Sequence, residues 1–196
     1  MKTNAKSGSG SDATSAGAFR PENINLKWPA QNDSLIAAMQ LVIPSGVTVA
    51  DIGAGAGNFV KRLRERGYRC WGFDGIAGVD KLTDGLVLQY DLTKPIQWLP
   101  PAAWAISIEV GEHIPRQHES QFLANLCGAA TDGMIVTWAT RSQEHMGRGH
   151  VNCLDPPEVA ARLLRRGWAV HEQMTRAMHK RIRRPFRKKL LVFTRR

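Results

Sequence analysis

The stretch Asp51-Ile-Gly-Ala-Gly-Ala-Gly-Asn-Phe59 joins an acid to three glycines at alternate positions. Glycines at 53, 55 and 57 remove the Cβ where a chain must turn sharply and approach a ligand with bare backbone. The apolar run Val47-Thr-Val-Ala50 precedes it, and the amphipathic Phe59-Val-Lys-Arg-Leu-Arg-Glu-Arg66 follows. Strand, glycine turn and helix in that order is the setting in which such glycines cradle a nucleotide-like ligand. A dinucleotide fingerprint runs G-x-G-x-x-G, with a pyrophosphate resting on the helix N-terminus. Here its third glycine position falls on Asn58, and the spacing is D-x-G-x-G-x-G instead.

Further acids recur at the ends of apolar runs. Asp74-Gly75 closes Tyr68–Phe73, Asp91-Leu92 follows Leu86–Tyr90, and Glu109 follows Trp104–Ile108. An acid at position 74 can accept both hydroxyls of a ribose in charge-assisted hydrogen bonds. Asp91 has two readings, a contact to an adenine edge or an Asx-turn opening Asp91-Leu-Thr-Lys-Pro95. Glu109-Val-Gly-Glu112-His113 gathers two carboxylates and an imidazole within five residues. Together they could hold a divalent metal, since carboxylates with histidine suit a hard-to-borderline ion. Alternatively His113 could act alone as a base titrating near neutrality, or the group could be structural. The polar, glycine-rich loop Arg141–Asn152 offers His150 as a further ligand or base, and such loops at a ligand edge are commonly functional.

Apolar segments of strand length alternate with helical ones, and that order positions these residues. A helix is expected over Asn32–Ile43, capped by Asp33 or Ser34 and broken by Pro44-Ser-Gly46. Strands are expected over 47–51, 68–73, 86–90, 104–108, 134–138, 168–170 and 189–193. Helices are expected over 57–66, from near Pro115 inward through Phe122, Leu123 and Leu126, and over 157–166. The alternation predicts an α/β fold, doubly wound, with a seven-stranded, mostly parallel sheet. The last two strands pair antiparallel at its C-terminal edge, joined by the basic stretch. Open sheets of this kind bind ligands at the C-terminal ends of their strands, where Asp51, Asp74, Asp91 and Glu109 fall.

Composition narrows the class. With 196 residues, 43% hydrophobic and 22% charged, the chain can enclose one globular core. It has no apolar run of the roughly 18 residues that a membrane span needs. Residues 1–20, rich in Ser, Gly, Ala and Thr, read as a disordered tail, and 21–196 as one domain. Three scattered cysteines, Cys70, Cys127 and Cys153, point to a reducing, cytoplasmic setting without a disulfide framework. Of the net +10, residues 171–196 carry +9, from ten Lys or Arg against Glu172 alone. The densest part, within 176–189, reads either as an anion-binding patch, nucleic acid included, or as a solvated basic hairpin. The six tryptophans read as core and edge packing, with Trp138, just before the polar loop, the exception that could stack on a ligand.

The D-x-G-x-G-x-G motif resembles motif I of the class I S-adenosylmethionine-dependent methyltransferases, and the resemblance runs from about Leu35 to Arg196. It implies a Rossmann-like fold that binds S-adenosylmethionine through Asp51, Gly53, Ala54, Gly55, Gly57, Asn58, Phe59, Asp74, Gly75, Asp91, Leu92 and Glu109. The E-x-x-E-H run is similar to that of the ubiquinone-pathway O-methyltransferases and the small-RNA 3′-terminal 2′-O-methyltransferases. By that likeness Glu109, Glu112, His113 and His150 are the ligands of a metal, Mg²⁺, and Glu112, His113 and His150 the catalytic groups. The residues around His150, Gly-His-Val-Asn, differ from those of the RNA enzymes. The expected reaction is an SN2 methyl transfer to a hydroxyl of a small-molecule or lipid-like acceptor. The alternatives are an RNA 2′-O acceptor held by the basic C-terminus, or a non-catalytic binding module on the same fold.

Overall fold

The computed structural model describes residues 14–23, 31–97, 101–146, 149–182 and 186–196. Seven strands form one sheet: β1 (Thr48–Ile52), β2 (Arg69–Asp74), β3 (Val87–Gln89), β4 (Ala102–Ile108), β5 (Ala130–Thr137), β6 (Trp168–Val170) and β7 (Leu191–Arg195). Their order is β3-β2-β1-β4-β5-β7-β6. Strands β1 to β5 are mutually parallel, and β7 runs antiparallel to both of its neighbours. The expected antiparallel C-terminal strand is therefore present, but it slots between β5 and β6, which leaves β6 as the edge.

Among the described residues, six α-helices cover the sheet: α1 (Gln31–Met39), α2 (Asn58–Arg64), α3 (Val79–Leu82), α4 (Glu119–Gly128), α5 (Pro156–Leu164) and α6 (Glu172–Arg181). Side chains alternate along each strand with period two. In β1, Ala50 and Ile52 join Phe122, Leu123 and Leu126 of α4 and Val159 and Leu163 of α5 on one face. Val49 joins Leu35 and Met39 of α1, Leu63 of α2 and Met178 of α6 on the other. Among the described residues, no helix is long and apolar enough to cross a membrane.

Three expectations change. The basic stretch is not a hairpin, because α6 occupies 172–181, with Thr175 and Met178 buried and Arg176, Lys180 and Arg181 exposed. The helix expected from Pro115 begins at Glu119, after a 3₁₀ turn over Arg116–His118. The proposed tail does not run to residue 20, since Thr14–Phe19 lies packed against the body of the domain. Residues 1–13 of that tail lie outside the described residues.

The strand order reverses direction between β1 and β4, because β2 and β3 extend one way and β5 the other. At such a switch point the two outgoing connections diverge and leave a crevice above the strand ends. Asp51 near the end of β1 and Glu109 just after β4 flank it.

Candidate active site

The crevice holds a cavity of about 420 Å³, within the range of small-ligand pockets. Its wall includes Gly53, Gly55, Asp74, Gly75, Asp91, Leu92, Glu109 and His113. The turn after β1 is tied to β2 by the amides of Gly53 and Ala54, which both donate to the Phe73 carbonyl, at 2.7 and 3.0 Å. Gly53 has φ +87, and a Cβ there would run into the Val110 side chain, so only glycine leaves this wall bare. The Asp74 carboxylate accepts from Gly55 N at 2.8 Å and Ile76 N at 3.0 Å, which fixes its direction while lone pairs remain for a ligand. Asp91 Oδ1 accepts from Thr93 N (2.9 Å) and Thr93 Oγ1 (2.6 Å). The Asx-turn reading thus holds, and the same residue lines the cavity.

Gly57, Asn58, Phe59 and Ala54 do not line it. Gly57 (φ +73) precedes α2 beneath Leu86 and Val87, Asn58 and Phe59 open that helix, and Ala54 packs over Gly72. These residues shape the turn from behind. Asp51 is 1% exposed, and its Oδ2 has no hydrogen-bond partner. Burial, reinforced by Asp74, pushes its carboxyl up to about 8.

On the far side of the cavity stands the E-x-x-E-H run. After β4 the chain bends at Glu109, whose φ of +57 is uncommon for a residue with a side chain. The Thr137 hydroxyl accepts from Glu109 N at 2.9 Å and donates to Glu109 Oε1 at 2.7 Å. The other carboxylate oxygen is paired with the ammonium of Lys189. Glu112 follows in a 3₁₀ turn over Gly111–His113 and is fully buried, with both carboxylate oxygens unpartnered. Burial, then the nearby Glu109, raises its carboxyl to about 8. The Glu112 carbonyl accepts from Val151 N and Asn152 N at 2.9 and 3.0 Å. These bonds draw the loop after β5 onto the turn and set His150 beside His113, ring centroids 5.2 Å apart.

His113 Nδ1 lies 3.1 Å from the Gly149 carbonyl, and His150 Nδ1 lies 2.8 Å from that of Gln143. A carbonyl only accepts, so each neutral ring carries its proton on Nδ1 and leaves Nε2 with a free lone pair. Burial lowers the His113 pKa, which favours that neutral ring. Ligand atoms of Glu112, His113 and His150 fall within 4.8 Å of one another. Two imidazole lone pairs and an unpartnered buried carboxylate fit a divalent ion in donor type and spacing. Glu109, expected as a fourth ligand, is not in this cluster, because the Lys189 ammonium already holds it.

Some of the site was not anticipated. Thr14, Ala16, Gly17, Ala18 and Phe19 complete the cavity wall. Phe19 meets the His113 ring edge-on at 4.8 Å between centroids, and a side chain at Gly17 would collide with the His113 carbonyl. Trp138 is not a ligand platform; it is 1% exposed, packs on Phe122, and donates from Nε1 to the Asn152 carbonyl at 2.6 Å.

No family model matches the chain, and no curated protein matches its sequence. Solved structures do match its fold. The CcbJ methyltransferase of Streptomyces caelestis is 10% identical with a TM-score of 0.65, over 92% of this chain and 98% of that one. The magnesium protoporphyrin IX methyltransferase of Synechocystis PCC 6803, solved with bound S-adenosylhomocysteine, is 16% identical with a TM-score of 0.62, over 85% and 83%. The [4+2]-cyclase SpnF also matches, at 13% identity and a TM-score of 0.59, over 94% and 88%.

Proposed function

We propose that this chain, which has the fold of the class I S-adenosylmethionine-dependent methyltransferases, transfers a methyl group from S-adenosylmethionine to a hydroxyl of a small-molecule acceptor. One observation carries the reading. A single cavity joins a bare glycine wall and an oriented Asp74 carboxylate to His113, whose Nε2 keeps a free lone pair and whose ring stands beside that of His150. Gly53 and Gly55 would receive the amino-acid tail of the cofactor, Asp74 its ribose hydroxyls, and Leu92 and Asp91 its adenine. When bound, the cofactor would supply a methyl carbon on a sulfonium, the C–S bond breaking toward a neutral thioether leaving group as a C–O bond to the acceptor forms.

This chain's own residues then have two tasks. The walls hold the acceptor in line, and alignment of that kind supplies much of the rate. The second task is removal of the hydroxyl proton. Where no ion is bound, His113, which lines the cavity and is neutral, accepts that proton on Nε2. Glu112, His113 and His150 would hold a divalent ion, and such an ion makes a coordinated hydroxyl more acidic. Two imidazoles and one carboxylate favour a borderline ion over Mg²⁺.

A small acceptor is preferred because Thr14–Phe19 narrows the cavity beside His113. The exposed cations on α6 favour RNA as the second reading. SpnF has the same fold and is a cyclase, so the reaction must be tested directly. Purified protein incubated with radiolabelled methyl donor and separated RNA, DNA, protein and small-molecule fractions should label the small-molecule fraction. Label confined to RNA, with binding that weakens steeply as salt is added, would select the RNA reading. Absence of calorimetric heat with S-adenosylhomocysteine would end both and leave a non-catalytic module.

A further inference from the structure

Among the described residues of the basic segment, Lys189 is the one buried Lys or Arg. It is 4% exposed, whereas Lys180, Arg181, Arg187 and Lys188 are exposed. The residue sits where the chain leaves a 3₁₀ turn over Phe186–Lys188 to enter β7, between buried Phe186 and Leu190. Burying an ammonium is costly unless it is paired and hydrogen-bonded. Its Nζ meets both conditions with two partners, the Glu109 carboxylate and Gln143 Oε1, the latter at 3.2 Å.

Gln143 is the last residue of a 3₁₀ turn, Arg141–Gln143, in the loop that carries His150. Its side-chain oxygen also accepts from Thr140 N at 3.1 Å, and its main-chain carbonyl is the acceptor for His150 Nδ1. The opposite side of the turn is clamped to α5, where Arg141 makes bonds of 2.9 and 2.5 Å to the two Glu158 carboxylate oxygens. One end of the turn is thus anchored by a helix and the other by Lys189, and the carbonyl between them sets the His150 tautomer.

We propose that Lys189 is a positioning residue of the acceptor site. Anchored on Glu109, its ammonium fixes the Gln143 turn so that His150 keeps its proton on Nδ1 and turns its Nε2 lone pair toward Glu112 and His113. The same contact keeps Glu109 out of that cluster. The inference rests on the methyltransferase reading for its purpose, but its geometry can be tested apart from it.

The test is ¹⁵N NMR of the histidine side chains in the full-length protein, at neutral pH, for wild type, Lys189→Met, Lys189→Arg and Gln143→Leu. His113 is the internal control, because its acceptor is the Gly149 carbonyl, which Lys189 does not touch. Lys189→Met and Gln143→Leu should each lose the single Nδ1–H tautomer of His150 and leave that of His113 intact. Lys189→Arg, which can still bridge Glu109 and Gln143, should restore it at least in part. An unchanged His150 signal in Lys189→Met, or equal changes at His113 and His150, overturns the proposal. If Lys189→Met fails to fold because Glu109 is left with an uncompensated charge, the Glu109→Gln/Lys189→Met double variant removes that charge and is read the same way. Calorimetry with S-adenosylhomocysteine on the wild type separates the two ideas. Lack of binding there defeats the functional reading and not the positioning one.

Discussion

Asp51 is buried without a partner for Oδ2, and that makes the free protein carry a pH-dependent penalty that one substitution should remove. Its carboxyl is raised from 3.8 to about 8, first by burial and then by Asp74. A raised carboxyl binds its proton more tightly in the folded state than in the unfolded one. Stability therefore falls as pH rises between those two values, by at most about 1.4 kcal/mol per pH unit for this group. At pH 7 the accumulated cost is on the order of 4 kcal/mol, and below pH 4 it vanishes. Asp51→Asn keeps the shape and cannot ionise. It should be more stable than wild type at pH 7 by up to roughly 4 kcal/mol, a gap that closes toward pH 4. Asp74 and Glu112, also raised by burial, give both proteins a residual slope, so the difference between the two curves isolates Asp51. Urea denaturation at unit steps from pH 4 to pH 8 measures it. Parallel curves for the two proteins would refute the reasoning, because Asp51 would then be paired or hydrated in the folded state. In the same reading, a cofactor whose charged amino-acid tail is held at Gly53 and Gly55 would favour loss of the nearby Asp51 proton at neutral pH. The binding enthalpy should then vary with the ionisation heat of the buffer in wild type and vary less in Asp51→Asn.

Gly53→Ala places a Cβ against Val110 at a φ of +87, so binding of S-adenosylhomocysteine should be lost in calorimetry while far-ultraviolet circular dichroism is kept. Gly17→Ala pushes the 14–19 segment off the His113 carbonyl and should weaken that binding about tenfold, the equivalent of ~1.4 kcal/mol. The melting temperature of the protein without ligand should barely move. Glu112→Ala and His113→Ala should each abolish methyl transfer, and chelator should abolish it in the wild type. Chelator-resistant wild-type turnover would leave His113 as the base and remove the ion from the mechanism.

Much of the architecture was readable because its signals are local. Acids at strand ends, glycines in a turn and apolar runs of five or so residues each depend on their own neighbourhood. Asp51, Gly53, Gly55, Asp74 and Asp91 duly meet at one sheet edge. What escaped depends on distant partners. Lys189 looks like any member of a basic run, and its burial follows from Glu109, 80 positions earlier. Thr14–Phe19 is built of small residues whose packing against His113 leaves no trace in composition, Phe19 excepted. Helix α6 did leave a trace, since Met174, Met178 and Ile182 recur every four residues, but the charges between them obscured it. Trp138 was misjudged because position beside a loop says nothing about which way an indole points.

The place of β7 has a consequence for how the molecule is assembled. In the sheet β6 touches no strand but β7, and β7 must enter a gap already bounded by β5. During synthesis, then, the edge strand has no sheet to join until residues 191–195 have emerged from the ribosome. The ammonium that holds Glu109 and the Gln143 turn arrives just before those residues, so in a nascent chain the glycine wall after β1 can form before the Glu109–His150 side is complete.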